Sequence, residues 1–168
     1  MFQDYKDLLC AFHAHGVKYL IVGGYAVSFH AQPRATKHID LFVKADLPNA
    51  QAAYAALAEF GAALHDIHPK DLANRSSFFR FGHDPCGIDI LPEIPGVDFD
   101  PAWERRVEGV IDPQSGLRAF FISRDDLIAS KLASGRVRDL ADVEEIRTAT
   151  QSLEPASPPK HQPEEPKK

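Results

Sequence analysis

Residues 16–43 read GVKYLIVGGYAVSFHAQPRATKHIDLFV, and this stretch decides how the chain is organised. The unbroken apolar run Tyr19-Leu20-Ile21-Val22 predicts a strand, over 18–22, buried on both faces. Gly23-Gly24 ends it, and small and apolar residues then predict a short helix over 24–31, stopped because Pro33 disfavours helix at Gln32. A second strand is expected at His38–Val43, HIDLFV. Asp40 inside so apolar a strand needs a reason, because an acid goes inside only when it is paired or holds a metal. Glycines at a strand-to-helix turn let backbone N–H groups approach a phosphate closely, and the helix N-terminus favours the anion. Phosphate at one end and a carboxylate about one strand away make a plan for a nucleotide with a divalent metal.

Working outward, residues 2–15 place Tyr5, Leu8, Leu9 and Phe12 at helical spacing before Gly16. An alanine-rich helix is expected over Leu47–Phe60, with Pro48 in its first turn and Gly61 after it. Residues 62–67 read as a weaker strand, and 68–76 as a loop. SFFRF at 77–81 and GIDIL at Gly87–Leu91 read as paired strands joined by the turn-rich His83-Asp84-Pro85-Cys86. Residues 92–118 resist assignment beyond a short helix near Trp103, and 117–122 reads as a further strand. Ser123 then caps a helix carrying Leu127, Ile128, Lys131 and Leu132, and 136–148 spaces Val137, Leu140, Val143 and Ile146 as another. From residue 151 the chain is rich in proline and charge, which predicts a disordered tail after one domain over 1–150.

With 168 residues, the chain has room for one domain with a substantial core. No apolar run approaches the roughly 20 residues that cross a bilayer. The acids in MFQDYKDLLCAF argue against an export signal, so a cytoplasmic location without membrane partners is expected. Cys10 and Cys86 lack metal-binding spacing and read as reduced thiols. A formal net charge of −5 disfavours coating a nucleic acid.

The glycine pair, the Arg34-Ala-Thr-Lys-His-Ile-Asp40 run and the GIDIL strand together resemble the minimal nucleotidyltransferases of the polymerase-beta-like superfamily, including small toxin-like members. The resemblance covers residues 17 to about 148. It implies an α/β (α+β) fold, a small mixed sheet flanked by helices. It also implies metal-dependent transfer of a nucleoside monophosphate from an NTP to a hydroxyl of RNA, protein or a small molecule. On the family pattern Asp40 and Asp89 are catalytic and bind metal, Mg²⁺ or Mn²⁺. Gly23, Gly24, Ser28, Arg34 and Lys131 are expected to meet the triphosphate. Several relatives of this size are toxins, so a cognate antitoxin is a further implied partner.

Two positions depart from the pattern: Ala31 stands where relatives frequently have another glycine, and the first acid is replaced by His38. Residues two apart on a strand share a face, so His38 stands beside Asp40 as a third candidate ligand. Imidazole suits Zn²⁺, Fe²⁺ or Mn²⁺ better than Mg²⁺. The open outcomes are an enzyme with altered metal preference, a slow enzyme, or a nucleotide or partner binder that has lost catalysis. Each residue also has a plainer reading. The glycine pair alone is commonly a tight turn, and Lys131 alone an exposed helical lysine. Asp40 is equally compatible with pairing to Arg34 or Lys37, and Asp89 with Arg80 across a hairpin. His65, His68, His83, Asp84 and Cys86 lack a zinc spacing and read as loop residues.

Overall fold

The computed structural model describes residues 1–83 and 86–151. Its centre is a six-stranded sheet in the order β3-β4-β2-β1-β6-β5. In chain order the strands are β1 (Tyr19–Val22), β2 (His38–Val43), β3 (Phe79–Phe81), β4 (Gly87–Leu91), β5 (Val107–Asp112) and β6 (Leu117–Phe121). The helices are α1 (Gln3–Ala14), α2 (Gly23–His30), α3 (Leu47–Phe60), α4 (Pro69–Leu72), α5 (Phe99–Glu104), α6 (Arg124–Ser134) and α7 (Val137–Gln151). The sheet is mixed: β1 runs antiparallel to β2 and parallel to β6, while β2 runs parallel to β4.

All four residues of β1 are buried, as its apolar run requires. Tyr5, Leu8, Leu9 and Phe12 of α1 and Ala50, Ala53, Ala56 and Leu57 of α3 form much of the core. The alanines let α3 lie close, and its ends are well made. Asp46 accepts from the Asn49 N–H at 2.8 Å, and Gly61 closes the helix at φ +89°. Asn49 also accepts from the Lys18 N–H and donates to the Lys18 and Lys44 carbonyls, satisfying the ends of β1 and β2.

Two expectations are corrected. Residues 62–67 form no strand: the Ile67 N–H turns back to the Leu64 and His65 carbonyls, at 3.0 and 2.7 Å. The loop expected over 68–76 contains α4, which buries Leu72. On α7 only half of the apolar stripe is used, with Val143 and Ile146 buried but Val137 and Leu140 exposed. The unassigned region 92–118 supplies α5 and β5. The tail expected after residue 150 lies, from 152 on, outside the described residues, as do Asp84 and Pro85 of the β3–β4 turn. Cys10 and Cys86 are unpaired with one another. Among the described residues no helix is long and apolar enough to cross a membrane.

Candidate active site

Strand register assembles the site. Parallel pairing of β2 and β4 sets Asp40 directly beside Asp89 and His38 beside Gly87. Antiparallel pairing of β3 and β4 sets Arg80 opposite Asp89 on the other side. The His38 Nδ1 lies 3.6 Å from Asp40 Oδ1 and 3.5 Å from Asp89 Oδ2, too long for good hydrogen bonds. That nitrogen is buried and without a hydrogen-bond partner among the described residues. Donor atoms of His38, Asp40 and Asp89 all fall within 4.8 Å of one another. A buried imidazole nitrogen aimed between two carboxylates is costly by itself, and it fits a divalent cation taking one nitrogen and two oxygen ligands.

The glycines are moulded to this centre. Gly23 stands at φ +59°, and a Cβ there would lie 2.1 Å from Asp40 Oδ2. The Gly24 N–H donates to Asp40. At Gly87 a Cβ would lie 3.2 Å from that of His38, so the missing side chain makes room for the imidazole. Burial pushes the Asp40 carboxyl above its ordinary value; His38 opposes this, the Asp89 charge adds to it, and the Gly24 N–H and Lys131 oppose it.

A second cluster lies on the helical side. Lys131 of α6 is buried, with its Nζ 2.8 Å from Asp139 Oδ1 and 2.6 Å from Asp142 Oδ2 on α7. Asp142 also takes a two-pronged bond from Arg34. Burial raises the Asp142 carboxyl, but the bonds from Arg34 and Lys131 outweigh it and hold the group below the usual carboxylate range. Asp139 is depressed likewise, by Lys131 and Ser134 acting against burial. Asp139 and Asp142 thus fix the α6–α7 pair, and Lys131 is neither exposed nor unpaired. Ser28 is spent elsewhere: its hydroxyl donates to the Gly24 carbonyl and accepts from the Arg34 N–H, and it lines neither cleft below.

Two clefts meet at the metal-type donors. One, of about 500 Å³, is lined by the apolar Phe78, Leu91, Ile94 and Leu127 and by Asp89 and Arg80. The other, of about 480 Å³, is basic, with Gly24, Arg34, Lys37 and Arg138 around it. Gly23, His38, Asp40, Lys131, Arg136 and Asp139 line both. Sequence reasoning overlooked Phe78, Arg136 and the apolar lining. A signal was present for Phe78: in SFFRF it stands two before Arg80, on the same strand face.

A glycine turn feeding a helix, metal-type donors two apart on the next strand and an acid from its parallel neighbour, on a mixed sheet flanked by helices, define a polymerase-beta-like nucleotidyltransferase fold. The chain belongs to the family described as "Nucleotidyltransferase of unknown function (DUF6036)", whose model matches residues 2–152. The fold is similar to that of the lincosamide antibiotic adenylyltransferase LnuA in its lincomycin-bound crystal structure. The TM-score is 0.57 at 19% identity, covering 89% of this chain and 98% of that one. A comparison with curated proteins found no match.

Proposed function

We propose that this protein transfers a nucleoside monophosphate from an NTP to a hydroxyl of a small molecule, using a divalent cation held by His38, Asp40 and Asp89. The observation that carries the reading is the buried His38 nitrogen aimed between two carboxylates, at the junction of a basic cleft and a half-apolar one. A cation bound there would supply positive charge to the reacting phosphate and favour the alkoxide form of the acceptor.

The protein's own groups divide the work. The triphosphate enters the basic cleft, where the Gly23-Gly24 turn at the start of α2, Arg34, Lys37 and Arg136 receive it. Lys131 offers the one N–H that Asp139 and Asp142 leave over, so it acts as a fixed donor rather than a mobile charge. Asp89 lines the half-apolar cleft alone, which makes that cleft the acceptor side. There the hydroxyl oxygen bonds to the α-phosphorus, the bond to the β-phosphate bridging oxygen breaks and pyrophosphate leaves. The hydroxyl proton passes to Asp89 on a lone pair that Arg80 does not use.

The cleft volume suits a drug-sized acceptor, and the net charge of −5 does not favour long RNA. The lincomycin bound to LnuA makes lincosamides the first acceptors to try. The toxin role and antitoxin partner implied by the resemblance have no supporting observation and are not part of the proposal. A second reading, a nucleotide binder without catalysis, is favoured by the Arg80 fork on Asp89. Incubation with α-labelled NTP, Mn²⁺ or Mg²⁺ and a panel of polyhydroxylated small molecules separates the two. A product heavier by one nucleoside monophosphate, absent with Asp40→Asn, supports transfer. Nucleotide binding without any product across the panel supports the second reading, and full transfer by an Asp40→Asn, Asp89→Asn double variant overturns the site.

A further inference from the structure

We infer that the site holds a single divalent ion and that the Arg80 guanidinium supplies the second positive charge. The inference rests on the proposed nucleotide chemistry and concerns how this chain carries it out. Two-ion sites clamp the attacking and leaving oxygens with cations about 4 Å apart, and such a pair needs carboxylates that reach both. Three features of this chain work against that arrangement.

The first is the ligand at position 38. A carboxylate has two oxygens and can bridge two ions, whereas the His38 Nδ1 has one lone pair and serves one. The second is Asp40. Its Oδ2 is packed against the Gly23 backbone, so close that a Cβ there would lie 2.1 Å away. Its Oδ1 is the oxygen facing His38. The third is Asp89, whose Oδ1 and Oδ2 take the Arg80 Nε–H and Nη2–H at 2.6 and 2.7 Å. What converges is therefore one nitrogen, Asp40 Oδ1 and Asp89 Oδ2.

The charge count agrees. His38 contributes no negative charge to the group, so two divalent ions would face only Asp40 and Asp89, with a guanidinium already on the latter. The Arg80 side chain is more than half exposed, yet it is held in place. Its position opposite Asp89 is set by the β3–β4 register, and the guanidinium carbon lies 5.5 Å from the centroid of the Phe78 ring. It lines the acceptor cleft and not the basic one, so its charge acts on the side where the hydroxyl attacks. Arg80 is a positioning residue for Asp89 and a fixed stand-in for a cation.

The test counts ions. The full chain is titrated with Mn²⁺ alongside a non-hydrolysable α,β-methylene NTP analogue, bound ions are counted from the free Mn²⁺ signal, and the complex is examined by electron paramagnetic resonance. The expected result is one Mn²⁺ per protein–nucleotide complex, a six-line spectrum of an isolated ion, and nitrogen coupling that disappears in His38→Asp. Arg80→Lys, which keeps the charge, should still bind one. His38→Asp combined with Arg80→Gln should admit a second ion and show a spin-coupled pair. Two ions in the unaltered protein with nucleotide bound overturn this inference alone and leave the functional reading standing. A double variant that folds by circular dichroism yet still takes one ion overturns the roles given to His38 and Arg80. Binding of neither ion nor nucleotide overturns both proposals.

Discussion

Gly23 and Asp40 occupy adjoining space so tightly that any Cβ on Gly23 would lie 2.1 Å from the Asp40 Oδ2. The turn that starts α2 and the carboxylate on β2 are therefore one unit. Gly23→Ala should displace the carboxylate and, at φ +59°, add about 1–2 kcal/mol of backbone strain. The expected outcome is a lowered Tm together with at least a tenfold loss of Mn²⁺ affinity by calorimetry. Unchanged Mn²⁺ affinity would mean that Asp40 does not hold the ion.

The Arg34–Asp142–Lys131–Asp139 chain makes a stability prediction. Asp142→Ala strands Arg34 and leaves buried Lys131 with Asp139 as its remaining acid. Breaking such a buried network should cost about 3–5 kcal/mol. Urea unfolding of the variant measures it, and a change within a few tenths of a kcal/mol would contradict the buried-network account.

The same acids set an acid limb. Asp139 and Asp142 have folded values held below the usual range, so the unfolded chain binds more protons as pH falls. Their contribution is complete above the unfolded value of about 3.9 and is lost as pH falls from there through the folded values. Unfolding free energy should drop over that interval, and less steeply in Asp142→Asn. Equal slopes for both proteins would remove Asp142 from the account.

His38 makes a prediction about metal identity. An imidazole ligand favours Mn²⁺ over Mg²⁺, whereas a carboxylate suits both ions. His38→Asp should shift the ratio of Mg²⁺ to Mn²⁺ dissociation constants toward Mg²⁺ by about tenfold. A ratio that does not move would show that the imidazole is not a ligand.

Much of this was legible in residues 16–43, because a buried strand, a glycine turn and an acid in an apolar run are local signals. β5 was not, since its signal is inverted. Val107 and Val110 are exposed on the edge strand, whereas Gly109 is buried, and a Cβ on it would lie 2.6 Å from Phe29 Cε2. The ring of Phe29 stacks on Phe121 at 4.1 Å, and the glycine leaves room beneath it. In the site, Asp89 pairs with Arg80, the plainer of its two readings, and also faces His38. Lys131 could not be placed from its own helix, because its burial depends on α7 folding back with Asp139 and Asp142.

The shared wall of the two clefts bears on turnover. Under the proposed reaction, pyrophosphate and the modified acceptor would leave through different openings, with Lys131 and Asp40 between them. Neither product would then block the other's exit, and no obligatory sequence of departure would follow. Product inhibition should accordingly follow a random rather than an ordered pattern.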